Sequence, residues 1–415
     1  MFQKKKIVSL LCALALTASL AACQDAPSST SSPESTSSTS ISGLPQSSIF
    51  SGGTGTEEDP YQISTVEQLD AVRDDMTAHY ILTADLDLSN VENWEPIGAY
   101  NPSVSEDDPN AFADSFSGTF DGNGHVISHL TSHHEDGVGV GLIGLTSEHA
   151  VVKNLTISQA DCSGMMAVAA VIGYNCGTAE HLQANGKVTS IAYNCVGGII
   201  GGNMGGTVSG CSTEDSTVTV LGENNYTDGR YILEDSNECG GLVIGGSFGG
   251  TIANCSGTGT VISEGHDAMG LGGVAGCLES MESITGCSAD VTIRAGKNAH
   301  GIGGLCGFSG TFDLSAPALV SGCTVNAQIE CSEGATHVGG LIGTGLYMNT
   351  PDMESVFQIQ DCSVTATITG AVTPGAVAGR AEGSTIESCE VSVIADGNPL
   401  TNAVGQTSTK FESAE

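Results

Sequence analysis

The residues of this chain whose types could do chemistry are its 15 cysteines, its 47 acidic residues and an adjacent histidine pair, His133 and His134. Six cysteines recur in one frame: Cys211, Cys255, Cys287, Cys323, Cys362 and Cys389, spaced 44, 32, 36, 39 and 27 residues apart. Zinc or dithiol chemistry calls for close pairs, and no C-x-x-C occurs. Reduced cysteine also behaves as a small, readily buried hydrophobe, and that is the reading adopted for these six. Cys162, Cys176 and Cys195 lie outside the frame and remain candidates for scattered disulfides.

Oxygen-rich stretches offer a second chemistry. "SEDDPN" at 105–110, "TEDS" at 213–216 and "ENNYTDGRYILEDSNE" at 223–238 carry enough carboxylates and amides for a calcium ion, which takes six to eight oxygens. The candidate ligand or calcium loop is Glu223, Asn224, Asn225, Tyr226, Asp228, Glu234, Asp235 and Glu238. No twelve-residue EF-hand spacing appears, so solvated acidic loops are the competing reading. His133 and His134 are read as a polar loop, with a transition-metal site as the alternative. Glycine runs such as "GGLVIGG" have neither a G-x-x-x-x-G-K-[ST] pattern nor a βαβ context, so no nucleotide is expected.

These residues need elements to position them. Ahead of each recurrent Cys by three stands Val208, Ile252, Ile284, Val320, Ile359 or Ile386, and behind it runs alternation such as Cys323, Val325, Ala327, Ile329. Alternation with period 2 marks a strand with one buried face. An odd offset of three puts both residues inward only if the chain bends between them. The intervening Gly210, Asn254, Gly286, Gly322, Asp361 and Ser388 are turn-tolerant types, which places a corner there. Leu155 and Leu182 occupy the Cys position in earlier units, so the position asks for a core filler.

With a Gly-Gly-aliphatic segment added, each unit is expected to contribute three short strands. Repetition at this spacing marks a solenoid. The fold expected is all-β, a parallel β-helix, right-handed by the general bias of parallel crossovers, with a short N-terminal capping helix. In "PYQISTVEQLDAVRDD" that helix is expected to start at Ser64 as N-cap, with Glu67 closing a capping box.

Residues 1–22 have a basic start, an apolar stretch and small residues, the anatomy of a secretion signal. "LAAC" at 20–23 resembles a bacterial lipobox, which makes Cys23 the lipidated residue and the membrane anchor. Residues 23–48 read as a Ser/Thr-rich tether, 49–135 as cap and first strands, 136–398 as repeats and 399–415 as a tail. The chain after residue 22 has eight Lys and Arg against 47 Asp and Glu, a net charge of −39. Such a surface repels nucleic acid.

Taken in order, "GTEEDPYQISTVEQLDAV", "YILTADLDLS", "FSGTFDGNGHVISHL" and then "VGGIIGG", "CGGLVIGG" and "VGGLIG" resemble bacterial surface proteins that carry GLUG motifs. The resemblance covers about residues 50 to 395. It implies a surface β-solenoid such as an adhesin, and brings no catalytic residue with it.

The function expected is adhesion or binding of an extracellular glycan or protein by an exported, lipid-anchored solenoid, with the 222–238 insertion as recognition surface. A structural spacer of the cell envelope is one alternative. A polysaccharide-degrading β-helix enzyme is another, although the basic residues are scattered and no catalytic constellation is grouped.

Overall fold

Among the described residues, the corner ahead of the Cys position has one backbone geometry from coil to coil. Asn154, His181, Gly210, Asn254, Gly286, Gly322, Asp361 and Ser388 all have φ between 51° and 64°. A non-glycine residue in that left-handed region costs about 1–2 kcal/mol, least for Asn and Asp. The bend turns both flanking residues inward, as the odd spacing requires.

This computed structural model describes residues 49–100, 112–191, 195–221, 239–266, 268–279, 283–311, 318–347, 357–381 and 384–406. Its strands stack as a parallel β-helix. One sheet of eleven strands runs from Tyr61–Ile63 to Thr385–Glu387. Its inward ladder reads Val152, Ala179, Val208, Ile252, Ile284, Val320, Ile359, Ile386. A nine-stranded sheet runs from Ile143–Leu145 to Val404–Gln406. The third sheet carries the strands that follow each Cys, such as Ser288–Ala295 and Thr324–Cys331.

Four strands, not three, make a full coil. In the coil containing Ile302 they are His300–Gly303, Cys306–Thr311, Ala318–Ser321 and Thr324–Cys331. The segment expected to be one Gly-Gly-aliphatic strand is two, folded at Gly304 and Leu305. Leu305 belongs to a buried corner ladder in which each N–H donates to the next carbonyl: Ile199, Val243, Val274, Leu305, Leu341, Val377. Gly304 permits the fold because a Cβ there would lie 2.4 Å from the Gly340 carbonyl oxygen.

The two halves then pack backbone to backbone. At Gly201, Gly245, Gly276, Gly307, Gly343 and Gly379 an added Cβ would come within 2.1–2.6 Å of main-chain atoms of the preceding coil. Glycine is demanded at these six positions by close approach.

The N-terminal end is filled by aromatic rings, with Tyr61, Tyr80 and Phe120 in register and Phe50 stacked on Tyr61 at 4.5 Å. The capping helix spans Val66–Asp70, one residue later than the sequence suggests. Thr65, not Ser64, is the N-cap, its Oγ1 accepting from Gln68 N at 3.3 Å. Gln68, not Glu67, reaches back, its Oε1 accepting from Ser64 N at 2.7 Å. The amide prevails because its NH2 also donates to the Ile49 carbonyl at 2.9 Å, tying the helix to the entering chain.

Two His–Asp pairs lace the first outer strands together: His125 Nδ1 to Asp85 Oδ1 at 3.0 Å, and His129 Nδ1 to Asp87 Oδ1 at 2.9 Å. Asp85 is held below the usual carboxylate range first by the Val126 backbone N–H and then by His125. Asp87 is lowered likewise by the Ser89 N–H and then by His129. Because the folded values are depressed, this stabilisation is present above the unfolded carboxylate pKa of about 3.9 and is lost as pH falls through the folded values. Amide protection in 85–89 and 125–129, taken relative to the intrinsic exchange rate at each pH, is therefore expected to fall below about pH 4. Unchanged protection there at pH 3, with the later coils also intact, would refute this assignment.

Candidate ligand-binding surface

The recurrent cysteines are brought into one ladder, with Leu155 and Leu182 ahead of them. Cys211, Cys255, Cys287, Cys323 and Cys362 are buried, while Cys389, in the last coil, is partly exposed. Each thiol lies 3.2–3.5 Å from the carbonyl oxygen two residues earlier, across the corner. That carbonyl also accepts the corner N–H of the preceding coil, as Ser321 O does from Gly286 N at 2.9 Å. Leucine can fill the slot but cannot donate, so cysteine satisfies a second lone pair that sequence reasoning overlooked.

The Cys255, Cys287 and Cys323 thiols are pushed up to about 12, first by the hydrogen bond with the preceding rung's thiol and further by burial. Cys211 moves the other way because Cys255 bonds to it. At neutral pH Cys255, Cys287 and Cys323 are thiols rather than nucleophilic thiolates.

Of the predicted ligand loops, Glu223, Asn224, Asn225, Tyr226, Asp228, Glu234, Asp235 and Glu238 lie outside the described residues, as do 105–110 and Cys23. In "TEDS", Thr213 and Ser216 are buried in the coil and Glu214 is exposed. Among the described residues no group of three or more His, Cys, Asp or Glu is placed to hold a metal ion. His133 and His134 lie in a strand, Thr131–Val140, rather than in a loop. Alternation sends them apart: His133 Nε2 meets Asp161 at 3.2 Å, and His134 Nε2 lies 3.0 Å from the Trp94 carbonyl oxygen.

A polar recess lies on the outer face of the third sheet. Four neighbouring strands line a groove of about 280 Å³ with Thr156, Gln183, Asn185, Ser212, Glu214 and Ser256. Four strands at the β spacing span about 14 Å. The groove exists because these strands kink at one level. Gln159, Gly186, Asp215 and Gly259 all have positive φ there, and pairing shifts between Ala184 and Gly186. Asn185 Oδ1 secures the kink by accepting from Gln159 N at 2.8 Å. Hydroxyls, amides and one carboxylate, with no basic side chain in the lining, suit a neutral polyhydroxylated ligand.

Residues 334–369 match the sequence model of the GLUG motif. This stretch is a GLUG motif. It contains Thr336–Gly339, Ile342–Tyr347, Phe357–Gln360 and Ser363–Thr369, the four strands of one coil. One GLUG unit is thus one turn of the helix.

The chain is 31% identical over 154 residues to halomucin of Haloquadratum walsbyi, a match covering 36% of this chain and 2% of that protein. It is 35% identical over 123 residues to a provisionally named Gly-rich membrane protein of Evansella cellulosilytica, covering 28% of this chain and 13% of that protein. The chain therefore spans only a small part of the length of either relative. Among solved structures it is similar to a Bacteroides ovatus protein provisionally named an immunoglobulin A1 protease. The TM-score is 0.47 at 17% identity, with 88% of this chain and 84% of that one covered. No described helix is long and apolar enough to cross a membrane.

Proposed function

We propose that this chain is a surface-displayed solenoid that binds an extracellular ligand, held to the membrane through lipid on Cys23. The observation that carries the binding reading is the groove crossing four strands, lined by Thr156, Gln183, Asn185, Ser212, Glu214 and Ser256. A polar trough built from successive coils repeats its hydrogen-bonding groups along one direction, which suits a linear glycan of repeating units. Surface placement is supported by the similarity to halomucin and to the Gly-rich membrane protein. The role proposed is adhesion without catalysis.

The test is binding of the purified chain, from residue 24 onward, to a panel of immobilised neutral and acidic glycans and host surface proteins. Gln183→Ala combined with Glu214→Ala is expected to weaken glycan retention at least about tenfold, the equivalent of about 1.4 kcal/mol. Retention unaffected by these changes but lost on excising 222–238 would move the site to the insertion. Binding to nothing on the panel would leave the spacer reading, and new reducing ends in a polysaccharide digest would establish an enzyme.

A further inference from the structure

Beyond the rung ladder, a second group of sulfur atoms lies in a separate small apolar cluster. Cys195, Cys239, Met269, Cys277 and Phe308 pack there, with Phe248 against them. Cys195 and Cys239 precede Val196 and Gly240, which are paired in register on adjacent coils. Their sulfurs lie 3.4 Å apart.

We infer that Cys195 and Cys239 are a disulfide site that staples two neighbouring coils across the stretch containing the acidic insertion. Parallel neighbours at about 4.8 Å fall inside the Cα range that a disulfide accepts, about 4.4–6.8 Å. Each rung thiol has its own backbone carbonyl 3.2–3.5 Å away in addition to its neighbouring thiol, and the Cys195 and Cys239 sulfurs lie against each other at 3.4 Å inside the separate apolar cluster. The room for them comes from Gly246: a Cβ at that position would meet Cys195 Sγ at 2.3 Å and Cys239 Sγ at 3.5 Å. In the following coils the same register position carries Cys277 and Phe308. Closing the bond needs the sulfurs to approach from 3.4 Å to about 2.05 Å.

The chemistry is thiol–disulfide exchange with a small-molecule disulfide as oxidant. One thiolate attacks the oxidant, forming a mixed disulfide and releasing one small thiol. The second cysteine then attacks the protein sulfur of that mixed disulfide, forming the Cys195–Cys239 bond and releasing the other small thiol. Two electrons pass to the oxidant, and the two thiol protons end on the released thiols. Both side chains are buried, 2% and 1% exposed, so the bond forms as the coils dock or open, and afterwards resists reduction.

The experiment refolds the full chain with oxidised glutathione, blocks remaining thiols under denaturing conditions, and maps the unreduced protein by mass spectrometry. Cleavage after Met204 and Glu238 separates the two cysteines, and fragment sequencing distinguishes them from Cys176 and Cys255. A Cys195–Cys239 link that vanishes on reduction is expected, with Cys255, Cys287 and Cys323 recovered as blocked thiols. Oxidation should also raise the melting temperature, and Cys195→Ser should abolish that rise. Recovery of Cys195 and Cys239 as blocked thiols, or a dominant Cys239–Cys277 link, would overturn the inference, and this readout needs no variant to fold.

Discussion

Gly343→Ala is expected to destabilise the protein by more than about 4 kcal/mol, a size that single substitutions reach only through a few mechanisms such as overpacking. The added methyl would sit 2.1 Å from Ile302 N, 2.3 Å from Gly301 C and 2.3 Å from Gly307 O. All three are main-chain atoms paired into neighbouring strands, so none can move aside as a flexible side chain would. The coil must separate along its backbone contact, and its neighbours lose their stacking partner. Gly124→Ala is the contrasting case, with left-handed φ and open space where Gly343 has crowding without left-handed φ. It has φ of 78° but nothing within 4 Å of the added carbon, so it should cost only the left-handed penalty of about 1–2 kcal/mol. Urea unfolding followed by far-UV circular dichroism compares the two. Gly343 is not in the left-handed region, so a cost no larger than that of Gly124→Ala would mean that close approach does not demand glycine there.

Trp94→Ala is expected to cost about 3–5 kcal/mol, the usual range for removing a large buried aromatic. Trp94, the chain's single tryptophan, is 2% exposed and donates its indole N–H to the Leu142 carbonyl at 3.0 Å. The Arg73 guanidinium lies 4.7 Å from its ring centroid and donates to the backbone carbonyls of Glu95 and Pro96. One ring therefore ties the segment after the capping helix to the loop at 94–96 and to the first coils. Trp94→Phe keeps most of the packing and loses the N–H bond, so it should cost clearly less. The readout is the urea midpoint together with proteolysis at the N-terminal end. A loss in Trp94→Ala no larger than in Trp94→Phe would show that the ring's volume contributes little.

Some particular residues were legible in advance and others were not. The Val/Ile-to-Cys offset of three announced a corner, and the structure places a left-handed residue there in successive coils. The capping helix was legible to within one residue, because Thr65 and Ser64 are chemically similar and only the hydrogen bonds of Gln68 decide between them. The groove was not legible. Gln159, Gly186, Asp215 and Gly259 are of three residue types, and only stacking shows that they kink at the same level.

The sequence by itself determined the repeating coil, the inward ladders and the corners, because these follow from alternation and residue type within a few positions along the chain. The tertiary structure alone decided which coil's atoms oppose which. The splitting of each Gly-Gly run into two strands, the glycine ladder's demand for close approach, and the meeting of Cys195 with Cys239 all involve residues from neighbouring coils. Loops of unequal length separate those coils: the rung cysteines stand 27 to 44 residues apart, so no fixed spacing in the chain encodes a contact that forms only when one turn is laid upon the next.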